Sequence, residues 1–261
     1  MSDEVLIIER DAAVAVITLN RPASKNALSP PLLKALGAAL TEIAADASVR
    51  AVILTGAGGA FCSGADLKEA MSEFGSVDNL EKAIDQYHTI IRAIVGAPKP
   101  VIAMVDGPAV GFGCDLALAC DLRVFSTEGY IQEKFVRIGL MPDGGGTFWL
   151  PRLVGLARAM EIILTGDPVN AERALSLGIA NRVVSAAKLR DETMALAQKL
   201  SKGPPLAFSE IKRAVRAGLG GTIDGALDAE KAGQLRCLTS SDCMEGVMAW
   251  MQKREPAFTG K

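Results

Sequence analysis

An α/β fold followed by a helical carboxyl-terminal region is predicted by three features of the sequence. Up to about Val184, short runs rich in Val, Ile and Leu alternate with segments whose apolar residues recur at helical spacing. Two of those runs end in a glycine-rich turn that opens into the next segment, at residues 55–67 and 105–116. From Ala186 onward the pattern is almost purely helical.

Residues 5–10 and 13–19 read as strands, the second ending at Asn20-Arg21-Pro22. A helix begins near Ser29, with Pro30 and Pro31 tolerated in its first turn, and Leu32, Leu33, Leu36, Leu40 and Ile43 supply its buried face. A strand at 51–55 leads through a glycine link into Phe61-Cys62-Ser63-Gly64-Ala65-Asp66-Leu67. The polar segment 68–77 has weak periodicity and is expected to form a mobile flap over a substrate. A helix over 79–95 holds the single histidine, His88, expected to be a partly buried helix residue; with no Ser or Cys in a nucleophile setting, a catalytic triad is not indicated.

A buried strand at 100–107, a glycine turn, a helix beginning at Asp115 and strands at 122–126 and 130–132 follow. The helix after Asp143 is expected to continue through Pro151 to Leu164, before a strand at 179–184. Helices at 189–201, 205–217, 222–237 and 242–254 complete the chain, separated by Gly203-Pro204-Pro205 and residues 218–221. Ser241 is expected to cap the last of them, with Asp242 and Glu245 in its acidic first turn. Neither a low-complexity tract nor a clear repeat interrupts the chain.

With 261 residues, 49% of them hydrophobic, the sequence can bury a large core. A formal charge of −2 offers no broad basic field for nucleic acid. The cysteines at 62, 114, 120, 237 and 243 form no CxxC pair and sit among apolar residues, so they read as reduced thiols of a cytoplasmic protein rather than metal ligands. The acidic start, Met1-Ser2-Asp3-Glu4, resembles neither a signal peptide nor a membrane span.

The chemistry is expected within residues 107–147, where two glycine-rich turns each carry an aspartate, Asp115 and Asp143. A strand, a glycine turn and a helix start leave free backbone N–H groups at the positive end of a helix dipole, suited to a developing oxyanion. Phe112 offers one such N–H and Ala65, in the upstream turn, a second. Two backbone donors and a carboxylate are what a reaction through a thioester enolate requires. The plainer alternatives are that the glycines serve tight packing and that Asp143 caps the helix after it.

Leu19-Asn20-Arg21-Pro22, Asn26-Ala27-Leu28, Phe61-Cys62-Ser63-Gly64-Ala65-Asp66-Leu67, Cys120-Asp121, Gly139-Leu140-Met141-Pro142 and Glu245-Gly246-Val247 together resemble the crotonase (enoyl-CoA hydratase/isomerase) superfamily, over nearly the whole chain. The resemblance implies a spiral of strand–strand–helix units, an acyl-CoA-binding core at 1–195, and a helical region at 196–261 for oligomerisation and active-site cover. It also implies a homotrimer or dimer of trimers, with no permanently bound cofactor: coenzyme A enters as the thioester part of the substrate. By the same resemblance Ala65 and Phe112 form the oxyanion hole. Lys25, Ala27, Leu28, Ser63, Asp66, Leu67, Lys68 and Gly111 border the coenzyme A and acyl groups.

Hydratases of this family carry a glutamate at the position of Asp115 and a second at the position that reads Phe135 here. Phenylalanine cannot hold water, and Glu133, two residues earlier, would be displaced by about 7 Å on a regular strand. Asp143 instead resembles the aspartate of dienoyl-CoA isomerases and of the ring-epoxide isomerases of phenylacetate breakdown, the latter most closely. The resemblance therefore implies a double-bond shift with Asp143 as acid and base, assisted by Asp115 and walled by Phe112, Phe135 and Trp149. Hydration with both aspartates gripping water, nucleophilic attack by Asp143 on a thioester or halide, and RNA binding without catalysis are the alternatives.

Overall fold

The computed structural model describes residues 4–70 and 77–261. Of the flap expected at 68–77, residues 71–76 lie outside the described residues.

The chain opens with β1 (Leu6–Asp11) and β2 (Val14–Leu19), an antiparallel pair. Helix α1 (Pro30–Ala45) follows, with Pro30 and Pro31 in its first turn and the Ser29 hydroxyl accepting the Leu32 N–H at 3.4 Å. Next come β3 (Ala51–Gly56), the short α2 (Leu67–Ala70), α3 (Val77–Gly96), β4 (Val101–Val105), β5 (Pro108–Val110) and α4 (Phe112–Ala119). β6 (Leu122–Ser126), β7 (Tyr130–Gln132), α5 (Gly146–Val154), α6 (Leu156–Thr165), β8 (Val169–Asn170), α7 (Ala171–Ser176) and β9 (Arg182–Val184) complete the mixed part. The last four helices are α8 (Ala186–Ser201), α9 (Pro205–Gly218), α10 (Ile223–Leu238) and α11 (Ser241–Gln252).

One sheet runs β1-β2-β3-β4-β6-β9, parallel from β2 onward, and a small second sheet runs β5-β7-β8. Alternate residues of the parallel strands serve two cores. Val14, Val16, Ala51, Ile53, Ile102 and Met104 pack with Leu189 and Ala197 of α8. Ala15, Ile17, Val52, Leu54, Val101 and Ala103 pack on the other face with residues of α1, α3 and α4. Burial on both faces explains why these strands read as continuous apolar runs rather than alternating ones. The division expected between residues 195 and 196 falls inside α8, which is one continuous helix lying on the sheet.

Several boundaries differ from the sequence reading for identifiable reasons. Helix α4 starts at Phe112, not Asp115, because Gly111 turns at φ 55° and releases the chain into the helix at once. The helix expected from Asp143 to Leu164 is two, since Gly155, at φ 78° and ψ 161°, cannot be helical. Ser240 caps α11, its hydroxyl accepting the Cys243 N–H, while the expected cap, Ser241, donates its own hydroxyl to the carbonyl of Lys261. Asp242 then accepts the N–H groups of Thr259 and Gly260, tying the tail to the helix.

Helix α9 is fastened to the core through Asp121, which receives Lys212 Nζ at 2.6 Å and Arg216 at 2.7 Å while also accepting the Val101 N–H. Among the described residues no helix is long and apolar enough to cross a membrane.

Candidate active site

Two glycine turns meet at the carboxyl ends of β3 and β5. Cys62 and Ala109 form a parallel bridge, with the Val110 N–H donating to Cys62 O at 2.9 Å and the Cys62 N–H donating to Pro108 O at 3.0 Å. A side chain at Gly113 would place its Cβ 2.2 Å from Cys62 O, so only glycine lets α4 begin this close to the upstream turn. Gly64, at φ +92°, brings its α-carbon region against the other turn: a Cβ there would lie 3.4 Å from Phe112 N and 2.8 Å from Val110 O. Ala65 is held next door by a bridge to Leu28. Among the described residues neither the Ala65 N–H nor the Phe112 N–H has a hydrogen-bond acceptor. Phe112 is the first residue of α4, where the N–H groups have no partner within the helix and carry its positive pole. Both residues line a cavity of ≈ 380 Å³ that also touches Tyr87, Phe135 and Asp143.

Asp143 does not cap α5. The residue at that cap is Gly145, which makes no side-chain cap bond, and Asp143 Oδ1 is buried without a hydrogen-bond partner. Burial raises its carboxyl above the usual range, and His88 draws it partly back. His88 Nε2 lies 2.8 Å from the Asp143 carbonyl oxygen, so that nitrogen carries the proton it donates. His88 is a partly buried residue of α3, as the sequence suggested, but its partner lies 55 residues away and only the packing of α3 reveals the pairing.

Asp115 is fully buried in the first turn of α4, and its Oδ2 accepts the Gly144 N–H at 2.9 Å. The aspartate thus holds the turn that carries Asp143, while the cavity is lined by Asp143 and not by Asp115. Glu133 departs from the position expected of a regular strand. β7 ends at Gln132 and a 3₁₀ turn, Lys134–Ile138, follows, so Glu133 turns inward to full burial beside Asp115 while Phe135 faces the cavity. Burial, then the charge of Glu133, push the Asp115 carboxyl well above its usual range; burial pushes Glu133 up to about 7. The close approach depends on glycine: a Cβ on Gly144 would lie 2.6 Å from Asp115 Cβ, and one on Gly146 2.5 Å from Glu133 Oε1.

Of the residues expected at the coenzyme, Lys25, Ser63, Leu67 and Gly111 line the cavity. Ala27 and Leu28 are buried and do not line it. Asp66 is paired with Arg21 at 2.9 Å, which holds its carboxyl below the usual range, and Arg21 also grips Ala27 O, so this aspartate fastens the two loops together. Lys68 is exposed on α2 and not on the cavity wall. Phe112 and Phe135 form the apolar wall, with Tyr87 edge-on to Phe112 at 4.6 Å; Trp149 packs elsewhere, edge-on to Phe148 at 4.7 Å. Among the described residues no group of His, Cys, Asp or Glu side chains could hold a metal ion.

Residues 9–261 match the family model described as "Enoyl-CoA hydratase/isomerase". The chain belongs to the enoyl-CoA hydratase/isomerase family. Members of this family act on coenzyme A thioesters, and the spiral strand–helix core with a helical carboxyl-terminal region is the crotonase fold. A probable enoyl-CoA hydratase of Rhodobacter capsulatus is 40% identical, with both chains fully covered. A 1,2-epoxyphenylacetyl-CoA isomerase of Escherichia coli is 35% identical over 99% of each chain. The crystal structure of an enoyl-CoA hydratase from Bacillus anthracis superposes with a TM-score of 0.95 at 34% identity, covering 99% of this chain and all of that one. The family resemblance read from the sequence therefore holds over the whole length.

Proposed function

We propose that this enzyme shifts the double bond of an enoyl-CoA, with Asp143 as the acid and base and the Ala65 and Phe112 N–H groups holding the thioester enolate. The observation that carries this reading is that, among the described residues, Asp143 supplies the one carboxyl on the cavity wall, with Phe135 where a hydratase of the family has its second acid. The two N–H groups polarise the carbonyl and acidify the neighbouring carbon. Asp143 takes a proton from that carbon, the electron pair moves into the thioester to give the enolate, and the same carboxyl returns the proton two carbons along. Phe112 and Phe135 keep water from the carboxylate. Lys25 and Ser63 at the cavity border the coenzyme, and the isomerase name of the Escherichia coli relative fits the same chemistry.

Hydration is the second reading, favoured by the hydratase names of relatives from Rhodobacter capsulatus and Clostridium acetobutylicum. It requires a water gripped by two acids. The two are separated by incubating the enzyme with 2-enoyl-CoA and 3-enoyl-CoA and identifying the products. A shifted alkene with little 3-hydroxyacyl-CoA is expected, and brisk hydration by the unaltered enzyme would replace isomerisation with the second reading. Phe135→Glu, which restores the missing acid, is expected to raise the ratio of hydrated to shifted product per folded molecule. It should also cost stability, on the order of several kcal/mol if the new carboxylate is unpaired.

We also propose that copies of the chain assemble through the last helices, as a trimer or a pair of trimers in the cytoplasm. Trp250 is 81% exposed, Ile223 71% and Met251 66%, apolar surface that a second copy would cover. Light scattering should give a mass that is a multiple of three chains of 27.3 kDa; a monomer would end this reading.

A further inference from the structure

Two carboxyl groups stand buried behind the proposed base without a role in the proton shift. Asp115 comes from α4 and Glu133 from the residue just after β7, yet both close on Gly146, where a Cβ would fall 2.7 Å from Asp115 Oδ1 and 2.5 Å from Glu133 Oε1. Each is 0% exposed and neither lines the cavity. Asp115 Oδ1 and both oxygens of Glu133 lack a hydrogen-bond partner, whereas Asp115 Oδ2 accepts the Gly144 N–H. The titratable groups around them are the Cys114 thiol on α4, Asp143 on the glycine turn and, beyond it, His88 on α3. None of these places a cation against Glu133. Two ionised carboxylates in that space would be buried without compensation, a condition relieved by retaining a proton.

We propose that Asp115 and Glu133 work as one unit: the two carboxyl groups share one proton between Asp115 Oδ1 and Glu133, and Asp115 Oδ2 grips the Gly144 N–H and so fixes the turn that carries Asp143. The Gly144 N–H on Asp115 Oδ2 and the Cys114 thiol beside Glu133 each favour an ionised oxygen, while burial of both carboxyls retains one proton between them. Both are positioning residues, since neither reaches the cavity. Their bearing on catalysis rests on Asp143 being the base; the shared proton does not.

The pair's proton affinity is raised in the folded state by burial first, with Glu133 up to about 7. Raised groups stabilise fully below their unfolded values, near 4, and this contribution is lost as pH rises through about 7. Glu133→Gln replaces the proton-sharing carboxyl with a donor amide that cannot titrate. The expected result is a stability that declines less steeply between about pH 4 and about pH 8, by roughly one proton's worth of slope. The infrared carbonyl band of a protonated carboxyl, present in the parent at neutral pH, should be absent in this variant. Turnover should stay within a few-fold of the parent, while Glu133→Ala, which leaves Asp115 without the group that shares its proton, should lose about tenfold or more in kcat with KM little changed.

An unchanged pH slope in Glu133→Gln, or a parent without the protonated-carboxyl band, would overturn the proposal. Should the variant fail to fold, infrared titration of the parent alone reads the same band. These two readouts need no substrate, so a failed isomerase assay with an altered pH slope would overturn the role of Asp143 and leave the pair standing.

Discussion

Asp143→Asn is expected to abolish turnover while leaving acyl-CoA binding nearly intact. The amide keeps the shape of the side chain in the cavity and cannot accept the proton, and loss of a general base typically costs about 10²–10⁴-fold in rate. The substitution should fold, because Asp143 Oδ1 has no partner to lose and the helix after it is not capped by this residue. Parallel measurements of kcat and of acyl-CoA dissociation check the separation of chemistry from binding. Burial raises the Asp143 carboxyl, and the base works only when deprotonated, so activity should fall as pH drops through a value above the ordinary carboxylate range. A variant turning over at near-normal rate would show that the proton is moved by another group.

The long elements were legible because their apolar patterns report burial directly. The strand carrying Ile53 and Leu54 and the α1 face formed by Leu32, Leu36 and Leu40 lie where the pattern predicts, and all are buried. That Ala65, Phe112 and Asp143 come together on one cavity was legible for a different reason, since the glycine turns that hold them mark where the chain turns sharply and leaves backbone groups free. Glu133 was not. Its direction depends on the strand giving way to a 3₁₀ turn one residue later, and nothing local distinguishes Gln132-Glu133-Lys134 from a continuing strand. The contact of His88 with Asp143 is set by how α3 packs, which a chain read residue by residue does not contain. The short β5, β8 and α7 escaped for want of length: two to six residues carry no period to detect.

Gly64→Ala is expected to reduce kcat by about 10²–10³-fold, the loss typical of removing one oxyanion-hole donor. The glycine sits at φ +92°, where an L side chain is strained, and its Cβ would lie 2.8 Å from the carbonyl oxygen of Val110, a backbone atom that cannot swing aside. The carbonyl belongs to the turn that leads into Phe112, so relief must separate the two turns, and the Ala65 and Phe112 N–H groups with them. One thioester oxygen could then no longer reach both donors. The side chain of Asp143 is untouched, so this variant isolates the oxyanion hole from the base. Loss of kcat in a protein with unaltered circular dichroism, together with weakened binding of an enolate-like acyl-CoA analogue, would place the defect in the hole. If the folded variant keeps near-parent kcat, the reacting oxygen is held by groups other than these two N–H donors.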